Sequence, residues 1–301
     1  MDNKRQNSTN INWYPGHMAK TKKQIIEDLK LIDVVVQIID ARTPKSSINP
    51  DINSYIKDKK QVIVLNKSDL SDINENKRWL EYYKKKNIPA VLCDSNTGKG
   101  IQDTIKEIEK SNIDNKKLLE NKGRIGKPIR VMVIGIPNVG KSSFINRMTK
   151  RVATQVGNKP GVTKHKQWIK VNGNIELLDT PGVLWPKFEN EEIALNLAFI
   201  GTIKDDILDK VEIAFELLKN LLQNYKKNIL ERYKLDEVQV DDIMKNTNNM
   251  ESENILEIMY LIGKKRGAIV SGGKVDEQKV ANIILDDFRC GKLGKITLET
   301  I

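Results

Sequence analysis

The sequence predicts an α/β fold built on a doubly wound, mostly parallel sheet and followed by a smaller all-α C-terminal domain. Three observations predict it. Short β-branched runs alternate with helical segments through the first part of the chain, the pattern of a parallel sheet with crossover helices. A GxxxxGK[ST] pattern, Gly135-Ile136-Pro137-Asn138-Val139-Gly140-Lys141-Ser142, stands between one such run and a helix. From about Glu191 onward strand signals vanish, and apolar residues recur at helical spacing.

In chain order, Asp33-Val34-Val35-Val36-Gln37-Ile38-Ile39-Asp40 is bounded by Ala41-Arg42-Thr43-Pro44, and Gln61-Val62-Ile63-Val64-Leu65 follows as a second buried strand. A helix around Glu75 to Lys86, the strand Ala90-Val91-Leu92-Cys93 and a helix from Ile101 to about Lys117 come next, then a polar Lys/Gly connection from Asn121 to Pro128. The alternation resumes with Ile129 to Ile134 and a helix from Lys141. Strands Gln167–Val171 and Ile175–Leu178 are joined by Asn172-Gly173-Asn174, a hairpin signal. Segments Asp206 to Lys227 and Asn254 to Lys265 are helical by spacing. The expected division is a sheet unit with an N-terminal leader, residues 1–188, and a helical unit, residues 189–301.

At 301 residues with 39% hydrophobic content, the chain can bury a sizeable core. It has no run approaching the roughly 18 apolar residues of a membrane span, and its start is polar, so cytoplasmic placement without a membrane partner is expected. Two cysteines, Cys93 and Cys290, read as ordinary thiols of a reducing compartment. A net charge of +11 favours an anionic partner, with RNA rather than DNA the leading candidate, although 41 of the 51 basic residues are lysine, a bias that base composition alone can produce.

In the GxxxxGK[ST] loop, backbone N–H groups of Asn138, Val139, Gly140, Lys141, Ser142 and Ser143 are candidates to cradle phosphates. Lys141 would neutralise the terminal phosphate oxygens, and the Ser142 hydroxyl would ligate Mg²⁺. Asn66-Lys67-Ser68-Asp69 follows a strand end, where open α/β sheets bind ligands. A carboxylate there, Asp69, accepts both the N1–H and the exocyclic amine of guanine, which adenine cannot match; GTP is the implied nucleotide. Ser95 and Asn96, in Ser95-Asn96-Thr97-Gly98, stand where a backbone N–H reaches the guanine O6. Asp179-Thr180-Pro181-Gly182 follows the strand Ile175 to Leu178, so that Asp179 can hold Mg²⁺ through water while the Gly182 N–H meets the γ-phosphate. Thr163, in Pro160-Gly161-Val162-Thr163, is the candidate second Mg²⁺ ligand on a switch segment.

With the base-reading motif ahead of the phosphate loop, the chain resembles the circularly permuted GTPases, and specifically the ribosome-biogenesis GTPase A (YlqF) family. Besides Gly135 to Ser142, the resemblance rests on Trp13-Tyr14-Pro15-Gly16-His17-Met18, on Asp179 through Pro186, on Ser271-Gly272-Gly273 and on Phe288 through Gly294. It implies a GTPase that binds the large (50S) ribosomal subunit and its rRNA late in assembly, is stimulated there and leaves after hydrolysis. Asn96 departs from the alanine frequent in GTPases, with little consequence for a backbone contact.

Many GTPases orient the attacking water with a glutamine after the Asp-x-x-Gly motif; here the residue is Val183, which offers no side-chain hydrogen bond. The two histidines, His17 and His165, are the candidates to replace it, His17 being the one the resemblance marks as catalytic. Asn138 resembles the asparagine that helps cation-dependent GTPases hold K⁺. A nucleotide-dependent RNA-binding module with little hydrolysis, or a signalling GTPase, are the alternative readings. Lys264, Lys265, Arg266, Lys274, Arg289, Lys292 and Lys295 are the expected rRNA contacts.

Overall fold

The computed structural model describes residues 23–114, 127–149, 168–172, 174–179, 190–203, 208–246 and 250–301, with backbone alone at Asn172 and Asp179. Strands β1 (Val34–Asp40), β2 (Lys60–Asn66), β3 (Ala90–Leu92), β4 (Ile129–Ile134), β5 (Trp168–Asn172) and β6 (Ile175–Asp179) form a sheet in the order β3-β2-β1-β4-β6-β5. All pairings are parallel except β5 with β6, the hairpin that Asn172-Gly173-Asn174 signalled. β1 is flanked on both edges and buried at all seven positions, which is why it reads as a near-continuous apolar run, broken only by Gln37 before Asp40, rather than an alternating one. Because the phosphate-loop strand β4 comes fourth in the chain yet lies beside β1 in the sheet, rotating the chain order leaves the crevice at the strand ends intact.

The sheet is covered by helices α1 (Pro50–Ile56), α2 (Ile73–Lys85), α3 (Ile101–Ser111) and α4 (Lys141–Met148). α1 was not expected; its signal is local, Asn49 accepting from the Ile52 N–H with Pro50 in the first helical turn. α3 ends at Ser111, where Asn112 caps it; Ile113 and Asp114 are again helical, and the expected end near Lys117 lies outside the described residues. Cys93 lies just beyond β3 and is buried, while Cys290 is exposed; both are free thiols.

The C-terminal region is helical: α5 (Glu191–Phe199), α6 (Lys210–Asn224), α7 (Lys226–Tyr233), α8 (Glu237–Met244), α9 (Glu251–Lys265) and α10 (Glu277–Arg289). The single helical segment expected from Asp206 to Lys227 is two helices. Asp209 caps the first by accepting from the Val211 and Glu212 N–H groups, and Tyr225, at φ −138°, breaks the chain before the second. Among the described residues no helix is long and apolar enough to cross a membrane.

Adjacent β1 residues point to opposite faces of the sheet. Ile39 joins Ile63, Leu65, Trp79 and Tyr83 on one face. Ile38 belongs to the larger cluster, which runs on from Val133 and Phe144 into Leu197, Leu217, Ile258 and Ile284 of the helical region. The residues after α10 then return to the sheet: the Leu298 N–H donates to the Arg42 carbonyl (2.8 Å) and the Ile296 N–H to the Leu70 carbonyl (3.0 Å).

Candidate functional site

The phosphate loop connects β4 to α4. Ile136 and Val139 are fully buried and pin it from beneath, leaving Asn138 and Ser142 exposed. Gly140 has φ +93°, and a Cβ there would stand 2.4 Å from the Asn66 side-chain nitrogen, so no other residue fits. The Lys141 ammonium folds back to 3.3 Å from the Ile136 carbonyl. Ser142 and Ser143 occupy the first turn of α4, the end of a helix that presents N–H groups and positive potential.

Asn66, the last residue of β2, joins three of the predicted loops. Its Nδ2 donates to the Val139 carbonyl of the phosphate loop (2.7 Å), and its Oδ1 accepts from the Ser95 N–H (3.1 Å) and the Ser95 hydroxyl (2.7 Å). Asn66 is 1% exposed, so these bonds serve the loops rather than solvent. The Ser95–Gly98 loop is further shaped by Asp94, whose Oδ1 accepts from the Asn96 N–H (2.8 Å) and the Thr97 N–H (3.3 Å), while its Oδ2 accepts from the Thr97 hydroxyl (2.6 Å). Although burial opposes it, these donors hold the Asp94 carboxyl below the ordinary aspartate range. Arg147 of α4 donates to the Asn96 carbonyl, bracing this loop from the phosphate side. Asp69 stands exposed at the crevice. Loss of part of its hydration, with the facing carboxylate of Asp94, pushes its pKa up.

β4 and β6 pair in parallel with Val133 opposite Asp179, which brings Asp179 to the same end of the sheet as the loop carrying Ser142. A hydroxyl and a carboxylate are hard oxygen donors, so the residue types at this end of the sheet suit Mg²⁺. His17, Thr163, Gly182 and His165 lie outside the described residues.

Sequence reasoning passed over Asp40 and Arg42. Asp40 is 0% exposed and Arg42 1%. The guanidinium grips the carboxylate with two bonds, Nε to Oδ1 at 2.9 Å and Nη2 to Oδ2 at 2.8 Å, and Lys67 of the base-reading loop reaches the same Oδ2 at 3.0 Å. Burial alone would raise this carboxyl, but Arg42 and Lys67 hold it well below the usual range. The legible signal was an acidic residue ending a largely apolar strand, with a basic residue two positions on.

The phosphate loop also meets the helical region. The Asn138 amide donates to the Gly201 carbonyl, and the Thr202 hydroxyl donates to the Pro137 carbonyl at 3.1 Å. Several of the basic residues expected to face RNA are committed within the protein. Arg289 donates to the Phe199 (3.0 Å) and Ala198 (2.8 Å) carbonyls at the end of α5. Arg266 donates to the Arg232 carbonyl, and Lys292, though exposed, pairs with Asp287. Lys264, Lys265, Lys274 and Lys295 are exposed.

A family model described as "50S ribosome-binding GTPase" matches residues 130–255. The chain is 42% identical over 293 residues to Ribosome biogenesis GTPase A of Bacillus cereus, covering 96% of this chain and 94% of that one. Its identity to Ribosome biogenesis GTPase A of Priestia megaterium is also 42%, covering 96% of each. The fold matches a crystal structure of GNP-bound YlqF from T. maritima, with TM-score 0.61 at 23% identity over 93% of this chain and 98% of that one. With the phosphate and base-reading loops joined through Asn66 on a permuted sheet, and with relatives this similar over nearly its whole length, the chain belongs to the ribosome biogenesis GTPase A family and is a GTP hydrolase.

Proposed function

We propose that this GTPase binds the large (50S) ribosomal subunit through rRNA late in its assembly, in the cytoplasm, and that hydrolysis of GTP releases it. The observation that carries the nucleotide part is the Asn66 amide, which locks the phosphate loop and the Ser95 loop into one crevice with Asp69 at its edge. Asp69 reads guanine, the loop from Asn138 to Ser143 and Gly182 hold the phosphates, and Lys67 and the Ser95–Asn96 backbone flank the base. Mg²⁺, which when bound would neutralise phosphate charge, fits Ser142, Thr163 and, through water, Asp179. K⁺ beside Asn138 would add to that neutralisation. His17 orients or deprotonates the attacking water in place of the missing glutamine. The subunit partner is supported by the names of the relatives and by the exposed Lys264, Lys265, Lys274 and Lys295. The sheet unit (1–188) carries the chemistry and the helical unit (189–301) the contact with RNA.

Cosedimentation with large subunits in GDP and in a non-hydrolysable GTP analogue, paired with single-turnover hydrolysis, tests this reading. Binding is expected with the analogue and weak with GDP. His17→Ala is expected to lower subunit-stimulated hydrolysis by roughly 10²-fold with nucleotide affinity retained. Equal binding in both nucleotide states would overturn the release step. Wild-type hydrolysis by the variant would exclude His17 and direct attention to His165.

A further inference from the structure

Besides its bonds to the sheet, where Lys67 pairs with Asp40 and the Ser68 N–H donates to the Cys93 carbonyl (3.0 Å), the loop from Asn66 to Asp72 is braced by residues that lie within the last fourteen of the chain. At one end, Lys67 is fixed by Asp40, Asp40 by Arg42, and the Arg42 Nη1 donates to the carbonyls of Phe288 (3.2 Å) and Arg289 (3.3 Å) with its guanidinium 5.0 Å from the centre of the Phe288 ring. At the other end, the Leu70 carbonyl accepts from the Ile296 N–H (3.0 Å), and the Asp72 N–H donates to the Thr297 hydroxyl oxygen (3.0 Å). Between them Leu70 lies over Gly291, which has φ +72° and where a Cβ would stand 2.5 Å from the leucine methyl. Asp69 is therefore carried on a loop that the C-terminal tail braces on both sides, through Arg42 before it and Leu70 and Asp72 after it, in addition to the loop's own bonds to the sheet.

We infer that the segment from Phe288 to Thr297 is a positioning clamp for guanine recognition, setting how tightly and how selectively the base is held. This rests on the reading of Asp69 as the base reader. Neither Arg42 nor Thr297 touches the nucleotide; each acts through the loop. Because the same α10 terminus sends Arg289 into the end of α5, the clamp also ties base retention to the helical region, the part proposed to dock on the subunit. A partner that displaces α10 would loosen the guanine nucleotide without contacting it, and by reciprocity a bound guanine nucleotide would favour the docked tail.

The test is Thr297→Val, which keeps volume and β-branching while removing the acceptor for the Asp72 N–H, alongside Arg42→Lys and wild type. Dissociation of fluorescent GDP and of fluorescent IDP, which lacks the exocyclic amine that Asp69 reads, is followed by stopped flow, with a thermal melt as the folding control. In Thr297→Val the preference for GDP over IDP is expected to shrink several-fold to about tenfold, through faster GDP dissociation with IDP little changed. A purely structural role would lower the melting temperature and leave that ratio unmoved, overturning the clamp. If Arg42→Lys does not fold, Thr297→Val alone decides. If wild type itself does not distinguish GDP from IDP, the assignment of Asp69 fails instead, a result separable from failure of the clamp.

Discussion

Asp40 is fully buried, and its neighbours explain why it is nonetheless ionised. Two cations converge on one fully buried carboxylate, so removing that charge leaves a guanidinium buried without its counter-ion. Asp40→Asn is accordingly expected to destabilise the fold by about 3–5 kcal/mol, the scale for breaking a buried pair on one side, measured as a shift in urea midpoint at neutral pH. The pH dependence follows from the direction of the shift. The folded pKa lies below the unfolded value of 3.8, so this stabilisation is complete above pH 3.8 and is lost as pH falls from there toward the lower folded value. The acid limb of the wild-type stability curve should flatten in the variant; an unchanged limb would mean that the pair contributes nothing. Glu299 shows the opposite tendency. Burial pushes its carboxyl up, against the Ser46 hydroxyl and the Ser46 and Lys45 N–H groups that favour the charged form, with Asn196 of α5 adding a donor at 3.1 Å.

At the level of elements, six of the ten helices named above begin where an Asn or Asp side chain closes the first turn, and α10 is the one on which the most depends. Asp276 accepts from the Lys279 N–H at 3.0 Å, and the far end of the same helix supplies the carbonyls that receive Arg42. Replacing Asp276 with Ala is expected to cost about 1 kcal/mol, visible as a lower thermal midpoint with GTP turnover at saturating nucleotide retained. No change in midpoint would show that tertiary packing alone holds the helix. α5 is the corresponding element on the other side of the crevice. It follows the segment that carries Asp179 to Gly182, its Asn196 meets Glu299 and Ser46, and the turn after it touches the phosphate loop through Gly201 and Thr202.

Over the whole molecule, the helical region is continuous in its apolar core with the sheet and is stitched back to it by the tail. The Trp79 indole N–H donates to the Glu299 carbonyl at 3.1 Å, and the Tyr225 hydroxyl both donates to the Thr297 carbonyl (2.9 Å) and accepts from its N–H (3.1 Å). A chain ending at residue 188 would leave Arg42 without its carbonyl partners, expose the apolar face shared with Leu197 and Ile284, and release the base-reading loop. It is expected to lose cooperative unfolding and guanine binding together, by calorimetry and nucleotide titration. A cooperative melt at the full-length temperature would show instead that the sheet unit stands alone.

The sheet and the loops of the candidate nucleotide crevice were legible in the residues because both depend on local patterns. β1 reads as a strand from its own side chains, and Gly135 to Ser142 needs only the strand before it and the helix after it. Asn66 to Asp69 was visible for the same reason, and α1 would have been, from Asn49 and Pro50. What tertiary structure alone decided are contacts made at great sequence separation. Arg42 meets Phe288 across 246 residues and Trp79 meets Glu299 across 220. No spacing rule links such positions, because their proximity follows from how the completed sheet and helices pack. The lysines and arginines of the helical region illustrate the same limit. Charge pattern placed Arg289 with Lys264 and Lys265 as RNA contacts, but only folding shows that Arg289 turns inward to the carbonyls ending α5 while Lys264 and Lys265 face solvent.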